Sequence, residues 1–158
     1  MNLSKILKNG FLILVASIVL SACATQKKSG QMQGDVYTGT ESVEYLASGV
    51  ADRVFFATNE TVLTTAARDT LRKQATWLRK NSKLNIVLEG HADERGTREY
   101  NLALGERRAN ASKDYLMTYG ISGKRISVIS YGKERPVNSA STSLAWSQNR
   151  RSVTVKVK

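Results

Sequence analysis

The chain has 158 residues, 41% of them hydrophobic, with one cysteine, one histidine and a formal net charge of +11. That length supports one domain with a buried core and no more. A single cysteine excludes an internal disulfide, and a single histidine excludes the two-histidine helical arrangement of zinc hydrolases. The positive charge would suit nucleic acid, an anionic membrane surface or an acidic polymer. Its lysines and arginines are scattered rather than massed, however, as on an ordinary solvated basic face.

Residues 1–22 predict an export signal peptide. Lys5 and Lys8 supply the positive start, and residues 11–20 (FLILVASIVL) form a ten-residue apolar run. A membrane span needs about 20. The run leads into Leu20-Ser21-Ala22-Cys23, which resembles the bacterial lipobox, whose cysteine is lipidated and becomes the mature N-terminus. The resemblance implies a covalent lipid on Cys23 and no other cofactor. With Ala24 rather than aspartate next, it also implies sorting to the outer membrane, lipid-anchored, with the domain facing the periplasm. One acyl chain holds only marginally, at about 0.8 kcal/mol per buried methylene, so the three of a bacterial lipoprotein anchor permanently. Loss of the leader lowers the formal charge from +11 to +9, and export argues against a nucleic-acid partner.

Residues 24–40 (ATQKKSGQMQGDVYTGT) are polar and lack apolar periodicity, which predicts a flexible tether. At about 3.3–3.6 Å per residue it reaches at most about 60 Å. Residues 41–51 predict a short amphipathic turn. The expected division is therefore a leader at 1–22, a lipidated cysteine and tether at 23–50, and one folded domain at 51–158.

Within that domain, residues 53–56 (RVFF) predict a strand and residues 59–63 a connection. Thr64 or Thr65 caps a helix running to Lys80, with Ala67, Leu71, Ala75 and Leu78 on its apolar face and Trp77 beside it. Residues 81–83 turn into a strand that sets Leu84, Ile86 and Leu88 against Asn85, Val87 and Glu89. A second helix covers residues 99–119, with a stripe of Leu102, Gly105, Ala109, Ser112 and Leu116, and Gly120 ends it. A third strand spans residues 126–131, followed by Gly132 and Pro136 in a loop and a short helix at 141–149. The last strand, 152–157, places Val153, Val155 and Val157 opposite Ser152, Thr154 and Lys156. The order β-α-β-α-β-β predicts an α/β (α+β) two-layer sandwich, with a mixed sheet covered by helices on one face and wet on the other.

Residues 89–109 (EGHADERGTREYNLALGERRA) carry the chemistry. A strand end, a glycine-bounded polar turn and a helix start form a natural crevice. Asp93 and Glu94 on the turn can hold an ammonium group, while Arg107 and Arg108 on the helix can clamp a carboxylate. A zwitterionic ligand fits both. The alternative for Asp93 and Arg108 is an intramolecular salt bridge pinning turn to helix.

Gly90-His91-Ala92-Asp93, Gly96, Tyr100-Asn101 and Leu104-Gly105-Glu106-Arg107-Arg108-Ala109 together resemble the core motif of outer-membrane protein A-like (OmpA-like) domains. Val54-Phe55-Phe56, Tyr119-Gly120-Ile121, Ser130-Tyr131-Gly132 with Pro136, and Asn149-Arg150-Arg151 agree with it, so the resemblance covers residues 53–158. Joined to a lipobox and tether, it is similar to the wall-anchoring lipoproteins of the Tol–Pal system. The resemblance implies non-catalytic, non-covalent binding of the diaminopimelate stem peptide of peptidoglycan, tethering the outer membrane to the wall. It also implies TolB and other Tol proteins as partners. By position it assigns the ligand's amino end to Asp93 and its carboxylate to Arg108. Asn101 matches the motif's ligand-binding asparagine, Phe55, Phe56 and Ala57 match positions that wall the pocket, and Leu104 lines the same crevice. Ala57 and Asn59 stand where such domains often carry aspartates, and Ala92 replaces the commoner threonine. Arg107 reads as a solvated charge, Arg95 and Arg98 as rim charges.

Two other readings use the same residues. One is an OmpA-like wall-binding lipoprotein outside the Tol system. The other is a cell-wall hydrolase, but His91-x-Asp93-Glu94 lacks further metal ligands, and adjacent carboxylates on one turn do not face each other across a sugar. His91 is expected to be a packed structural histidine.

Overall fold

The structure, a computed structural model, describes residues 32–40 and 43–157. The predicted leader, the lipidation at Cys23 and the first part of the tether lie outside the described residues. Two short hairpins open the described chain: β1 (Met32–Gln33) with β2 (Val36–Tyr37), and β3 (Tyr45–Ala47) with β4 (Val50–Ala51). There follow β5 (Arg53–Phe55), α1 (Thr65–Lys80), β6 (Ile86–His91), α2 (Arg98–Thr118), a 3-10 turn (Gly123–Arg125), β7 (Ile126–Gly132), α3 (Ser143–Asn149) and β8 (Arg151–Lys156). From β5 onward this is the expected β-α-β-α-β-β order. The main sheet runs β5-β8-β6-β7, with β6 and β7 parallel and the other pairs antiparallel.

Both long helices start and face as their sequences dictate. Thr64 caps α1 by accepting the Ala67 amide at 3.1 Å, and Ala67, Leu71, Ala75 and Leu78 are all buried. They pack with Val54, Phe56, Ile86, Leu88, Ala109, Leu116, Ile121 and Ile126 into one core. Thr97 caps α2 through the Tyr100 amide at 3.2 Å, and Gly120 closes that helix with φ +82°. The buried stripe of α2 differs from the sequence expectation at its N-terminal end. Leu102 is half-buried, and Asn101, Leu104 and Arg108 are buried instead, with Gly105, Ala109, Ser112 and Leu116 as expected.

The stripe shifts because α2 lies against the end of β6, and two glycines set that contact. A β-carbon on Gly90 would overlap the carbonyl of Gly105, and one on Gly105 would overlap the Ser130 hydroxyl and meet the Gly90 carbonyl oxygen at 2.9 Å. Glycine is required here by the approach of two backbones.

The last strand reverses the simplest expectation. Thr154 is opposite Leu88 in the ladder and so faces the helices, while Val155 and Val157 are 37% and 47% exposed. The buried hydroxyl is satisfied. Thr154 Oγ1 lies 2.8 Å from Gln74 Oε1, and Gln74 Nε2 donates to the Ala51 carbonyl at 2.8 Å, a closed relay under α1. The face expected to be wet is partly covered as well. Tyr37 packs edge-on against Phe55 with ring centroids 4.8 Å apart, and Leu46 is buried beside Lys156, whose Nζ donates to its carbonyl at 3.2 Å. Within residues 41–51, expected as a short amphipathic turn, Tyr45–Ala47 and Val50–Ala51 form the β3–β4 hairpin. Residues 32–37, expected as tether, form a hairpin anchored by Tyr37. Its aromatic ring supplies the apolar surface that the polar composition concealed.

Overpacking the glycine contact tests this geometry. Gly105→Ala should cost about 2 kcal/mol, the range for forcing a methyl into a filled site, and lower the urea midpoint. An unchanged midpoint would show that α2 can lift from β6.

Candidate functional site

The crevice predicted from residues 89–109 forms where β6 ends. The Ala92 amide donates to the Gly132 carbonyl at 2.8 Å, so the chain leaving β6 is still tied to β7. The turn at 93–96 then leads to the Thr97 cap. Asp93 is buried and does not pair with Arg108. It accepts from Arg95 at Nη2 (2.7 Å), Nε (3.0 Å) and the backbone amide (3.1 Å), and from Arg150 Nη1 at 3.3 Å. Burial alone would raise the Asp93 pKa, but the Arg95 hydrogen bonds and charge, with Arg150, hold it below the ordinary carboxylate value.

Arg108 is fully buried, and its guanidinium is spread over three backbone carbonyls. Nε donates to Glu60 at 3.0 Å, Nη1 to His91 at 2.9 Å and Nη2 to Ala57 at 3.0 Å. The Phe56 ring lies 5.5 Å from the guanidinium carbon. Burial, then the charge of Arg150, lowers the Arg108 pKa to about 10, so it stays cationic at neutral pH. Asn101, also buried, donates from Nδ2 to the Arg95 carbonyl at 2.8 Å and fixes the turn. Leu104 is buried under the same joint.

The aromatic pair expected to wall the pocket divides. Phe56 is in the core beneath Arg108, and Phe55 is on the opposite sheet face against Tyr37, because adjacent strand residues point apart. Ala57 contributes its carbonyl. Arg107 is exposed, so the proposed double-arginine clamp reduces to one buried arginine.

A hollow of about 280 Å³ opens over this joint, lined by Gly34, Asp35, Thr58, Arg95, Ser143, Trp146 and Arg150. Sequence reasoning left Arg95 on the rim, Arg150 without a role and Trp146 unmentioned. Arg95 stacks on Trp146 at 4.4 Å, and Trp146 Nε1 donates to Glu94 Oε1 at 2.8 Å. Arg150 Nε donates to the Phe56 carbonyl at 3.0 Å. The Asn149-Arg150-Arg151 run was the available signal, but only the fold shows that Arg150, between α3 and β8, reaches Asp93.

His91 is 1% exposed and tilts against Tyr131 at 5.6 Å, as expected of a structural histidine. Neither ring nitrogen has a hydrogen-bond partner, and Glu89 Oε2 is 3.7 Å from Nε2. Burial, then the charges of Arg151, Arg53 and Arg135, lowers its pKa to about 3, so it is neutral at pH 7. Among the described residues no cluster of histidine, cysteine, aspartate or glutamate could hold a metal ion.

Residues 55–150 match the OmpA family, and the chain belongs to that family. Within it, the chain is 47% identical over 147 residues to the peptidoglycan-associated lipoprotein of Rhizobium meliloti, covering 90% of this chain and 84% of that one. It is 44% identical over 147 residues to the peptidoglycan-associated lipoprotein of Brucella melitensis, covering 90% and 88%. The crystal structure of the peptidoglycan-associated lipoprotein from Burkholderia pseudomallei superposes with a TM-score of 0.65 at 34% identity, over 67% of this chain and 90% of that one.

The buried neutral histidine predicts a pH dependence. The unfolded chain binds a proton at His91 near pH 6.5 and the folded chain does not, so stability is full above 6.5 and declines as the pH falls toward 3. The slope is about 1.4 kcal/mol per pH unit. Urea midpoints at pH 7 and pH 5 should therefore differ more for the wild type than for His91→Gln. Equal differences would refute the assignment.

Proposed function

We propose that this chain is an outer-membrane lipoprotein that non-covalently binds the diaminopimelate stem peptide of peptidoglycan and ties the outer membrane to the wall within the Tol–Pal system. The observation that carries this reading is the strand–helix joint itself, where one carboxylate, Asp93, is set among Arg95, Arg108 and Arg150 beside an open hollow. The end of a diaminopimelate residue bears an ammonium and a carboxylate on one carbon. A carboxylate beside guanidinium groups recognises both with charge-assisted hydrogen bonds. Similarity to lipoproteins named for association with peptidoglycan supports the same ligand.

In this reading Asp93 takes the ammonium after Arg95 swings aside. Arg95 is the more exposed partner of that pair, with its side chain 42% exposed against 9% for Asp93. Arg108 keeps its three carbonyls, and its two further N–H groups, buried while the site is closed, take the ligand carboxylate once the groups over the joint give way. Asn101, Leu104 and the Ala57 backbone shape the floor. The lipid on Cys23 fixes one end, and the domain grips the wall at the other, without catalysis. Modest affinity per site suffices, because many copies on one membrane face a polymer of repeated sites. TolB and other Tol proteins are the further partners. An OmpA-like lipoprotein acting outside that system would bind wall equally well, and pull-down with TolB separates the two.

Co-sedimentation with purified diaminopimelate-type peptidoglycan, at low and high salt, tests the ligand. Asp93→Ala should lose pelleting at both salts. Equal, salt-sensitive pelleting of both proteins would mean that charge alone coats the polymer. The arginine is tested with Arg108→Lys, because Arg108→Ala would strand the carbonyls of Ala57, Glu60 and His91 and cost about 3 kcal/mol or more. The lysine variant should fold but bind at least tenfold more weakly, since an ammonium cannot hold three carbonyls and a carboxylate together.

A further inference from the structure

The first hairpin supplies part of the hollow's wall. Gly34 and Asp35 form the tip of the β1–β2 hairpin, and both line the hollow. Asp35 Oδ2 accepts the Thr58 backbone amide at 2.6 Å and lies 3.9 Å from Arg150 Nη2. The same guanidinium nitrogen of Arg150 also donates to the Asp35 carbonyl oxygen. Two residues on, Tyr37 is held at 2% exposure against Phe55. Gly34, at φ +65°, makes the tight turn that delivers the carboxylate.

The chemistry of that contact is informative. A carboxylate that takes a backbone N–H and sits beside a guanidinium, here Thr58 and Arg150, offers the same kind of charge-assisted contact that an incoming carboxylate would use. Across the hollow, the Arg95 guanidinium occupies Asp93 as an incoming ammonium would. The two halves of a zwitterion are thus both represented by the protein's own groups. Asp93 and Arg108, the residues on which ligand recognition rests, are 7% and 0% exposed and do not line the hollow.

We infer that the hairpin tip is a built-in competitor: Asp35, docked on Thr58 and Arg150, covers the approach to the wall-binding crevice, and stem peptide binds only when it is displaced. This inference rests on the wall-binding reading above. Hydrogen bonding from Thr58 holds the Asp35 pKa below the ordinary value, so the carboxylate is fully charged at neutral pH. Because the competitor is on the same chain, its concentration at the site is fixed and dilution does not remove it. Asp35 is also half exposed, so its hold is weak enough for a ligand making more contacts to displace.

The test uses the full-length chain in detergent micelles with two readouts: hydrogen exchange at the Thr58 amide, and titration with a soluble muropeptide carrying a diaminopimelate stem. Asp35→Ala should speed exchange at Thr58 and tighten muropeptide binding about three- to tenfold, the gain for a site open about 10–30% of the time. Gly34→Val strains the left-handed turn while leaving the carboxylate in place, and should move both readouts in the same direction. Unchanged Thr58 exchange in Asp35→Ala overturns the docking. Faster exchange with equal or weaker muropeptide affinity overturns the competition while the wall reading stands. If Thr58 is released but neither the wild type nor Asp35→Ala binds muropeptide, the wall reading has failed, and the competition falls with it.

Discussion

The Arg108 guanidinium is the constraint on which the rest depends. It reaches from α2 to the carbonyls of Ala57 and Glu60 on the segment after β5, and to that of His91 at the end of β6. Those segments are far apart in sequence and none makes a regular ladder with another at that point. A buried cation costs several kcal/mol to desolvate, and three strong acceptors offset that cost only if all are in place. The geometry of the crevice is therefore set by a group that cannot be moved without releasing three carbonyls on two backbone segments. The Gly90–Gly105 contact brings α2 close enough for that reach.

Around this fixed centre the remaining charges fall into two kinds. Arg108 and Arg150 are committed to backbone carbonyls and define the walls. Arg95 and Asp35 are exposed enough to exchange partners, and each currently answers a buried group: Arg95 answers Asp93, and Asp35 answers Thr58 and Arg150. Rigid walls with replaceable occupants suit the reversible binding proposed for this site. Locked walls keep the cost of ordering low when ligand arrives. The replaceable groups keep the buried charges satisfied when it is absent.

Much of this was legible in the chain. The α1 face from Ala67 to Leu78, the Thr64 cap and the Gly120 stop follow from spacing and local hydrogen bonding, which depend on nearby residues alone. Asp93, Asn101, Leu104 and Arg108 were named because one motif puts them on one strand–turn–helix unit, and the fold does gather them at that joint. What the chain concealed is long-range. Thr154 looks like the polar side of an alternating strand and becomes the helix side, because β8 inserts beside β6 in a register that sets it opposite Leu88. The polar tether hides Tyr37, a single aromatic with no periodicity to announce it. Asp35 and Arg150 are 115 positions apart, and no local pattern pairs them.

The placement of the first hairpin has a mechanical consequence. A pull on the chain ahead of Met32 reaches the molecule through the β1–β2 hairpin, whose hold on the body at that point includes the Asp35 contacts and the Tyr37–Phe55 ring pair. The four-stranded ladder behind it is far more densely bonded, and the load enters beside the crevice rather than at the far end of the sheet. If the chain is anchored and binds ligand as proposed, tension between the two ends runs along a short path at one corner. The core of α1, α2 and the sheet would be left slack while that corner yields.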